Sequence, residues 1–449
     1  MEFHDKIMLP DLGRAAVMSS VKDAETKALE ELIAERNTAL DFYYNRNLDK
    51  HLAEWFPSDS LQQVPSFGLR IVPRFAKARM MLWKQPPKRF INGEEEQAEI
   101  YLESAYHLNS KCREFAEIAW LLGKCYMRSK YNSYKERIEY DIIPHVMEYL
   151  SPDGNVYGLS YEVGKDAHGD RQFVFWSEAR DNEAGLHFKF DMAGRIKPVG
   201  DNIDLINPYN ILPLSKVEFP SHSMDVSRAG LQVGIAMTEI ALGTRMALGQ
   251  PVITGIDQEI ANLKSGINRV LVLPTGGSLN YVSPTGSLLD MIEAVKLMIN
   301  QTAQAHSLAI RWGDNSAPPS GEALRLMSVE NLESRESDIP LFKEWELSRY
   351  EIDKTILNVH QGKVFGDSYS VDFAEAGFPS TWAEERNRLE FLIDNNLISR
   401  KELIKEFNND ITDEELEEKL GELQEEQQAN QPEPEPAFEG LSRLGRIGT

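Results

Sequence analysis

The sequence predicts a mixed α+β fold in which helices predominate. Apolar residues recur at helical spacing near both ends of the chain, and short β-type runs separated by turn residues fill 140–219. From 225 onward, two helical segments flank a small insert that is punctuated by Gly and Pro. With 449 residues, the chain has room for one large domain or for two to three ordinary ones.

Composition and charge exclude several classes of protein. Hydrophobic residues make up 42% of the chain and charged residues 27%, as in ordinary globular proteins. The formal net charge is −23, which disfavours tight binding of nucleic acid over the whole surface because such binding relies on Lys and Arg. The first ten residues lack the apolar core of a signal peptide. The most apolar window, 229–248, contains Glu239 and Arg245, so we expect no membrane span.

The two cysteines, Cys112 and Cys125, are too few for a disulfide framework. Their spacing is also not that of a zinc site. We therefore expect two buried thiols in a reducing compartment.

The first 224 residues are predicted to form helices and then a small sheet. Apolar periodicity predicts helices over 24–48, 66–81 and 95–128, and a Pro- and Lys-rich loop over 83–92. The β-type runs lie at 146–150, 158–163, 172–176, 185–190 and 195–199. A turn rich in Asp and Gly surrounds His168, and we interpret it as a turn rather than a metal site.

The second half begins with a helix, a small insert and another helix. A helix is predicted over 225–248, with Leu231, Ile235, Thr238 and Leu242 on one side, and another over 287–310, with Leu288, Ile292, Val295, Ile299 and Thr302 on one stripe. The insert covers 249–286 and is predicted to contain strands at 252–254, 269–273 and 279–282 and a small helix at 258–265. The insert is too small to hold a core alone, so we expect it to pair with neighbours in an assembly. A polar loop over 311–322 leads into a long helical segment over 322–360, which Pro340 should kink or split.

The C-terminal region carries helix-start signals followed by a polar tail. A helix is predicted over 381–397, and Ser399 with Glu402 forms a capping-box pattern that starts another. Thr412 and Glu415 repeat that pattern. The remainder is rich in Glu, Gln and Pro, and we expect it to be largely disordered.

The sequence offers no positive evidence for catalysis. It contains no P-loop, no His-Glu-x-x-His helix, no Gly-x-Ser-x-Gly elbow and no Cys-x-x-Cys pair. We therefore predict that the protein is not an enzyme and has no catalytic residues, no cofactor and no metal ligands. Two alternatives remain open, a cytosolic α+β enzyme with an unrecognised site and a non-viral helical scaffold or adaptor.

One segment concentrates positive charge, and it could touch nucleic acid. We favour instead a set of salt bridges between subunits. The cluster consists of Arg70, Arg74, Lys77, Arg79, Trp83, Lys84, Lys88 and Arg89.

Two motifs and the order of elements resemble the portal proteins of tailed bacteriophages, the rings through which DNA enters and leaves the capsid. The first motif is Ser320-Gly321-Glu322-Ala323-Leu324-Arg325, which opens a long helix after a stem-like helix. Many portals carry a comparable Ser-Gly-x-Ala-Leu step. The second is Leu397-Ile398-Ser399-Arg400, followed by an Asp- and Glu-rich helix over 408–415, which is similar to portal crown helices.

The resemblance implies a division of the chain into named regions. These are a wing over 1–224, a stem helix over 225–248, a clip over 249–286, a second stem helix over 287–310, a tunnel loop over 311–322, a tunnel helix with a return to the wing over 323–379, a crown over 380–426 and a disordered acidic, Pro-containing tail over 427–449.

The resemblance also implies a function and partners. Copies of the chain would form a ring, expected to be a dodecamer, at the capsid vertex of the virion, after assembly in the host cytoplasm. The ring would conduct double-stranded DNA during packaging and ejection and bind it weakly and without sequence specificity, because a negative ring repels the duplex. The expected protein partners are the terminase large subunit, a head-completion adaptor, and the major capsid and scaffold proteins.

Candidate site residues follow from these regions. Arg311, Trp312, Asp314, Asn315 and Ser320 would lie on the tunnel loop near DNA; Asp290, Glu293 and Lys296 would face the channel or a neighbouring subunit from the stem; and Lys264 and Arg269 would contact partners from the clip.

Overall fold

The computed structural model divides the chain into two compact units. One comprises Met1–Ala317 and Arg325–Gly377, and the other comprises Pro318–Leu324 and Phe378–Thr449. The structure describes residues 23–57, 61, 68–151, 153–180, 183–191, 194–200, 203–246, 250–254, 278–282, 288–308, 329–374, 382–395, 398, 399, 402, 416, 419 and 421.

Both helices and antiparallel sheets occur, which confirms the α+β prediction. The helices of the first unit are α1 (Asp23–Tyr44), α2 (Leu48–Leu52), α3 (Ile71–Arg79), α4 (Glu95–Ser104), α5 (Leu108–Leu122), α6 (Asp225–Met246), α7 (Leu288–Ala305) and α8 (Val329–Gln361), with a 3₁₀ turn at Met81–Trp83. The second unit contains α9 (Trp382–Asp394).

Twelve strands in the described ranges form four antiparallel sheets. They are β1 (Lys88–Ile91), β2 (Lys124–Asn132), β3 (Arg137–Ile143), β4 (Met147–Leu150), β5 (Val156–Lys165), β6 (Arg171–Ser177), β7 (His187–Asp191), β8 (Ile196–Lys197), β9 (Leu214–Glu218), β10 (Gln250–Thr254), β11 (Ser278–Val282) and β12 (Tyr369–Asp372). The strand orders are β4-β5-β6-β7-β8, β3-β2-β9, β1-β12 and β10-β11.

Helix α5 lies at the centre of the main core. Every residue from Phe115 to Leu122 is buried, so this helix is covered on all sides rather than along one stripe. The helix ends at Gly123, whose φ of 79° is the left-handed conformation that glycine adopts readily. A Cβ at Gly123 would lie 2.9 Å from the Cβ of His222, so the close approach of that chain segment also requires glycine.

Helix α8 packs against this core and carries buried charges as well as buried rings. Phe342 and Trp345 are buried. Glu346, Arg349 and Asp353 follow at spacings of three and four residues, so they share one helix face. Arg349 Nη2 lies 2.5 Å from Glu346 Oε2, and Arg349 Nη1 lies 2.6 Å from Asp353 Oδ2. All three side chains are fully buried.

Side chains from other elements complete this buried ion network. Arg89 of β1 donates to Glu346 over 2.8 Å. Tyr369 of β12 donates to Glu346 over 2.7 Å, and Tyr101 of α4 and Tyr140 of β3 donate to Asp353 over 2.5 and 2.7 Å. The network therefore connects α8 to β12, which follows it closely, and to three elements that are distant in the sequence, β1, α4 and β3.

Charge pairing decides the ionisation of Glu346. Burial alone would raise the pKa of its carboxyl group, but Arg349 and Arg89 outweigh burial and hold that pKa well below its usual range. The folded pKa thus lies below the unfolded value of 4.5. The resulting stabilisation is complete above pH 4.5 and is lost as the pH falls through the folded pKa.

Two further apolar clusters cover the faces of the five-stranded sheet. Val174 and Trp176 of β6 pack on one face with Leu159 of β5. Phe175 lies between them in the sequence and packs on the opposite face with Phe188. This alternation is the period of two that a strand imposes on its side chains.

Several sequence predictions are confirmed. The five β-type runs correspond to β4 through β8. Asp166 accepts hydrogen bonds from the backbone nitrogens of His168 and Asp170 over 2.9 and 3.0 Å, which confirms the turn. Cys112 and Cys125 are buried free thiols. In the second unit, Ser399 and Glu402 exchange the two hydrogen bonds of a capping box, over 2.8 and 3.2 Å.

Other predictions were wrong. The helix predicted over 95–128 is two helices followed by β2, because chain reversal at Gly123 starts a strand. The loop predicted over 83–92 contains β1, which pairs with β12. Pro340 does not split α8, and a kink there stays a prediction. It lies on the exposed side, where water can bond the carbonyl group of Glu336 that loses its helical partner.

The prediction of salt bridges between subunits was also wrong for two members of the basic cluster. Arg79 pairs with Asp338 at 2.5 Å, and Arg89 pairs with Glu346, both within the chain. Trp83 is 4% exposed and packs edge-on against Phe342. These residues therefore stabilise the fold of one subunit.

We predict that Arg349→Met destabilises the first unit by about 3–5 kcal/mol, because it leaves two buried carboxylates without their shared cation. Urea unfolding followed by tryptophan fluorescence measures the change. Asp367→Asn is the matched control. Asp367 pairs with Lys354, but its own side chain is 98% exposed, so losing this pair should cost little. Equal destabilisation by both variants would contradict the claim that the buried ion network stabilises the first unit.

Candidate functional site

Helix α6 is anchored in the core by its first half. Val226 and Val233 are fully buried. A Cβ on Gly230 would lie 3.2 Å from a methyl group of Val72 and 3.4 Å from the ring of Phe42, so glycine allows α6 to lie close to α1 and α3. The start of α6 is thereby held by the body of the first unit.

Helix α7 runs antiparallel to α6. His306, just beyond the end of α7, places Nε2 2.8 Å from Oδ2 of Asp225 at the start of α6. At the opposite ends, a Cβ on Gly243 would lie 3.0 Å from Leu288. These contacts, one near each end, define a pair of antiparallel helices along nearly their whole length.

The His306–Asp225 contact joins the helix pair to the core. The His306 ring packs edge-on against Trp120 of α5, with ring centroids 5.4 Å apart. Its hydrogen bond to Asp225 lowers the pKa of that carboxyl group, against the opposing effect of burial. The side chain of Asp225 is 55% exposed, so solvent screens much of the interaction.

A β-hairpin-like pair of strands continues the helix pair. β10 follows α6 and β11 precedes α7, and the two strands pair antiparallel from Gln250 opposite Val282 to Thr254 opposite Ser278. Their main contacts are with each other. The strands predicted at 252–254 and 279–282 are confirmed, and the predicted strand at 269–273 and helix at 258–265 lie outside the described residues.

The outer face of α7 is uncovered in the single chain. Val295, Ile299 and Ala303 are buried and follow each other at four-residue spacing, so one face of α7 packs against the rest of the chain. Leu289 and Leu297 lie on another face and are 73% and 58% exposed. We call the exposed face that contains Leu289, Ile292, Glu293, Lys296 and Leu297 the outer α7 face.

The outer α7 face combines apolar and charged groups. Glu293 and Lys296 form an ion pair over 2.9 Å, and both side chains are more than half exposed. Asp290 is exposed as well. Asp290, Glu293 and Lys296 are therefore accessible to solvent in the single chain, and their role toward a channel or a neighbouring copy stays a prediction.

The other predicted site residues fall outside the described residues. These are Arg311, Trp312, Asp314, Asn315 and Ser320 of the predicted tunnel loop, and Lys264 and Arg269 of the predicted clip. Their roles stay predictions.

Sequence reasoning did not identify the leucines of the outer α7 face. It grouped Ile292 on one stripe with Val295 and Ile299, which are buried, and with Leu288 and Thr302, whereas Ile292 is 37% exposed. For α6 it selected Leu231, Ile235, Thr238 and Leu242, but of these only Thr238 is buried. The available signal was the presence of two leucines among the charged positions of α7.

Within the described residues, no helix is long and apolar enough to cross a membrane. The same residues contain no group of three or more His, Cys, Asp or Glu side chains that could hold a metal ion.

Comparisons with known proteins give distant similarities to solved structures. No protein-family model matches the sequence, and the comparison with curated proteins finds no match. A chain in the neck of an empty gene transfer agent (GTA) particle computed with C6 symmetry aligns at a TM-score of 0.38 and 15% identity, over 78% of this chain and 93% of that chain.

Two more solved structures give similar values. A chain in the neck of a native GTA particle computed with C12 symmetry aligns at a TM-score of 0.35 and 15% identity, over 78% of this chain and 92% of that chain. A chain in the virion of a native GTA particle aligns at 0.35 and 14% identity, with the same coverage. At such low scores, function has to be inferred from the geometry of this chain itself.

We predict that Asp225→Asn lowers the melting temperature slightly at pH 7, with a free-energy cost below about 1 kcal/mol because the group is exposed. The folded pKa of Asp225 is depressed, so its contribution is present above the unfolded value of 3.8 and disappears as the pH falls through the folded pKa. Scanning calorimetry between about pH 3 and about pH 7 checks this.

Glu239→Gln is the control for this prediction, because Glu239 is exposed on the same helix. It should leave the melting temperature unchanged throughout the pH range. A difference between Asp225→Asn and the wild type that persists undiminished in acid would contradict the assigned role of the His306 contact.

Proposed function

We propose that this protein is a portal protein of a tailed phage or phage-like particle, a ring at the capsid vertex through which the genome is packaged and ejected. The observation that carries the proposal is the antiparallel pair of α6 and α7, anchored in the core at one end and continued by β10 and β11 at the other. In a portal this arrangement corresponds to a stem and a clip.

The uncovered outer α7 face supports the ring. Two largely exposed leucines on a regular helix leave apolar surface in water unless another chain covers it. The neighbouring charges suit a heterologous interface, in which one surface of each subunit meets a different surface of the next and the rotation closes a ring. The neighbour that covers this face would thus be a second copy of the chain.

Weak contact with DNA follows from charge. A chain with a net charge of −23 repels the phosphate backbone over most of its surface. Such a ring would let a duplex slide, since tight binding requires many Lys and Arg contacts to phosphate. The terminase large subunit, a head-completion adaptor and the capsid and scaffold proteins are the partners that this function requires.

We predict that the purified protein forms rings with a central hole, visible by negative-stain electron microscopy and measurable by mass photometry. Leu289→Glu combined with Leu297→Glu should shift the population to monomers. Burying each leucine contributes about 1.5–3 kcal/mol, so losing both weakens every interface by more than about a hundredfold.

Val364→Glu is the matched control, because Val364 is 82% exposed and lies outside the helix pair. It should leave the ring population unchanged. A wild-type protein that stays monomeric at micromolar concentration would refute the proposal and favour the enzyme or adaptor alternatives.

We predict that deleting residues 313–319 leaves ring assembly intact but impairs DNA packaging, because these residues form the proposed tunnel loop. Nuclease-protected DNA in assembled particles measures packaging, and mass photometry measures assembly. Loss of the ring itself would show that the segment is needed for subunit contacts and would contradict its assignment to the tunnel.

A further inference from the structure

A cleft lies between two sheets of the first unit, away from the helix pair. Strands β2 and β3 form one side, and β5, β6 and β7 form the other. The open cleft has a volume of about 550 Å³. This is within the range of about 300–1,000 Å³ that is typical of small-ligand sites in proteins.

Stacked rings line this cleft. His187 lies over Trp176 with ring centroids 3.4 Å apart and an interplanar angle of 16°. Tyr131 and His360 stack with centroids 4.3 Å apart and an angle of 6°. The hydroxyl group of Tyr209 lies 2.9 Å from Nε2 of His360, which fixes that imidazole in place. The rings thus form two ordered stacks within one cleft.

The lining histidine His187 is neutral at physiological pH. Burial lowers its pKa to about 4, and Arg128 and Lys189 add to the effect. A neutral imidazole that already stacks on Trp176 offers a flat, uncharged ring toward the cleft. Flat rings of this kind stack with any nucleobase, because every base has a π face.

The cleft also carries positive charge that has no carboxylate partner in the described part of the chain. Lys130 and Lys189 both line it and form no ion pair there. The acidic side chains of the cleft are already neutralised, since Asp141 pairs with Arg128 and Glu162 pairs with Arg171. The local charge is therefore opposite in sign to that of the chain as a whole.

We propose that this cleft binds a nucleoside phosphate, with the base stacked on the lining rings and the phosphate contacting Lys130 and Lys189. The ligand is either a free mononucleotide or a nucleotide of a single strand, since both present the same base and phosphate. This site is separate from the helix pair, so it goes beyond the proposed ring function and does not depend on it.

Calorimetric titration of the full chain at low salt tests the proposal with four probes. Adenosine 5′-monophosphate should bind saturably, whereas adenosine and ribose 5-phosphate should each bind at least about tenfold more weakly because each lacks one half of the contacts. A short single-stranded DNA distinguishes the two sources of ligand. Tighter binding of the strand than of the mononucleotide identifies a strand as the ligand.

Matched variants locate the site. Lys130→Glu and Lys189→Glu should each weaken binding of adenosine 5′-monophosphate by about tenfold or more, because charge-assisted contacts to phosphate are strong. Lys165→Glu makes the same charge change at an exposed position of β5 outside the cleft and should leave affinity within about twofold. Circular dichroism confirms that all variants are folded.

Three outcomes would overturn the proposal. The first is the absence of saturable binding of adenosine 5′-monophosphate at millimolar concentration. The second is equal affinity for ribose 5-phosphate, which would leave the rings without a role. The third is equal weakening by Lys165→Glu and Lys189→Glu, which would reduce the effect to net charge. Ring assembly is measured separately, so failure here leaves the proposed function untouched.

Discussion

The fold of the first unit depends on one buried cation, the guanidinium group of Arg349. It lies between the carboxylates of Glu346 and Asp353, and all three side chains are fully buried, where a charged group is costly unless an opposite charge lies beside it. Arg89 brings β1 to the same point, and Tyr369 brings β12. Apolar burial gives the core its stability, while these directional bonds determine which elements meet at α8.

The helix pair differs physically from this interior. Its base is fixed by close contacts at Gly230 and by the Asp225–His306 bond, whereas the outer α7 face leaves Leu289 and Leu297 in water. A rigid base with an uncovered far face is suited to assembly, because the anchored helices hold that surface in one orientation before a partner arrives. A ring built this way would form its interface from a part of each chain that leaves apolar helix surface exposed.

The sequence predicted the elements that are determined by neighbouring residues, and it missed those that depend on contacts with residues far along the chain. The alternation of β6 is complete within seven residues, so it was found. Strand β1 has only four residues, and its partner β12 lies far along the chain, so nothing nearby indicated it. Nothing in the sequence marked Arg349 as buried, because a charged residue carries no local signal of its burial. For α7 the helix and its apolar stripe were predictable, since Val295 and Ile299 are buried. The exposure of Leu289 and Leu297 was not, because these leucines lie outside that stripe.

The long separation between Arg89 and Glu346 also affects how the protein is made. The two residues are 257 positions apart, so a nascent chain carries Arg89 on the order of tens of seconds before its partner leaves the ribosome. Strand β1 must wait equally for β12. The core around α8 therefore closes only after β12 has been synthesised. Helices α6 and α7 precede α8 in the chain, so the interior that anchors them is completed only after they have been made.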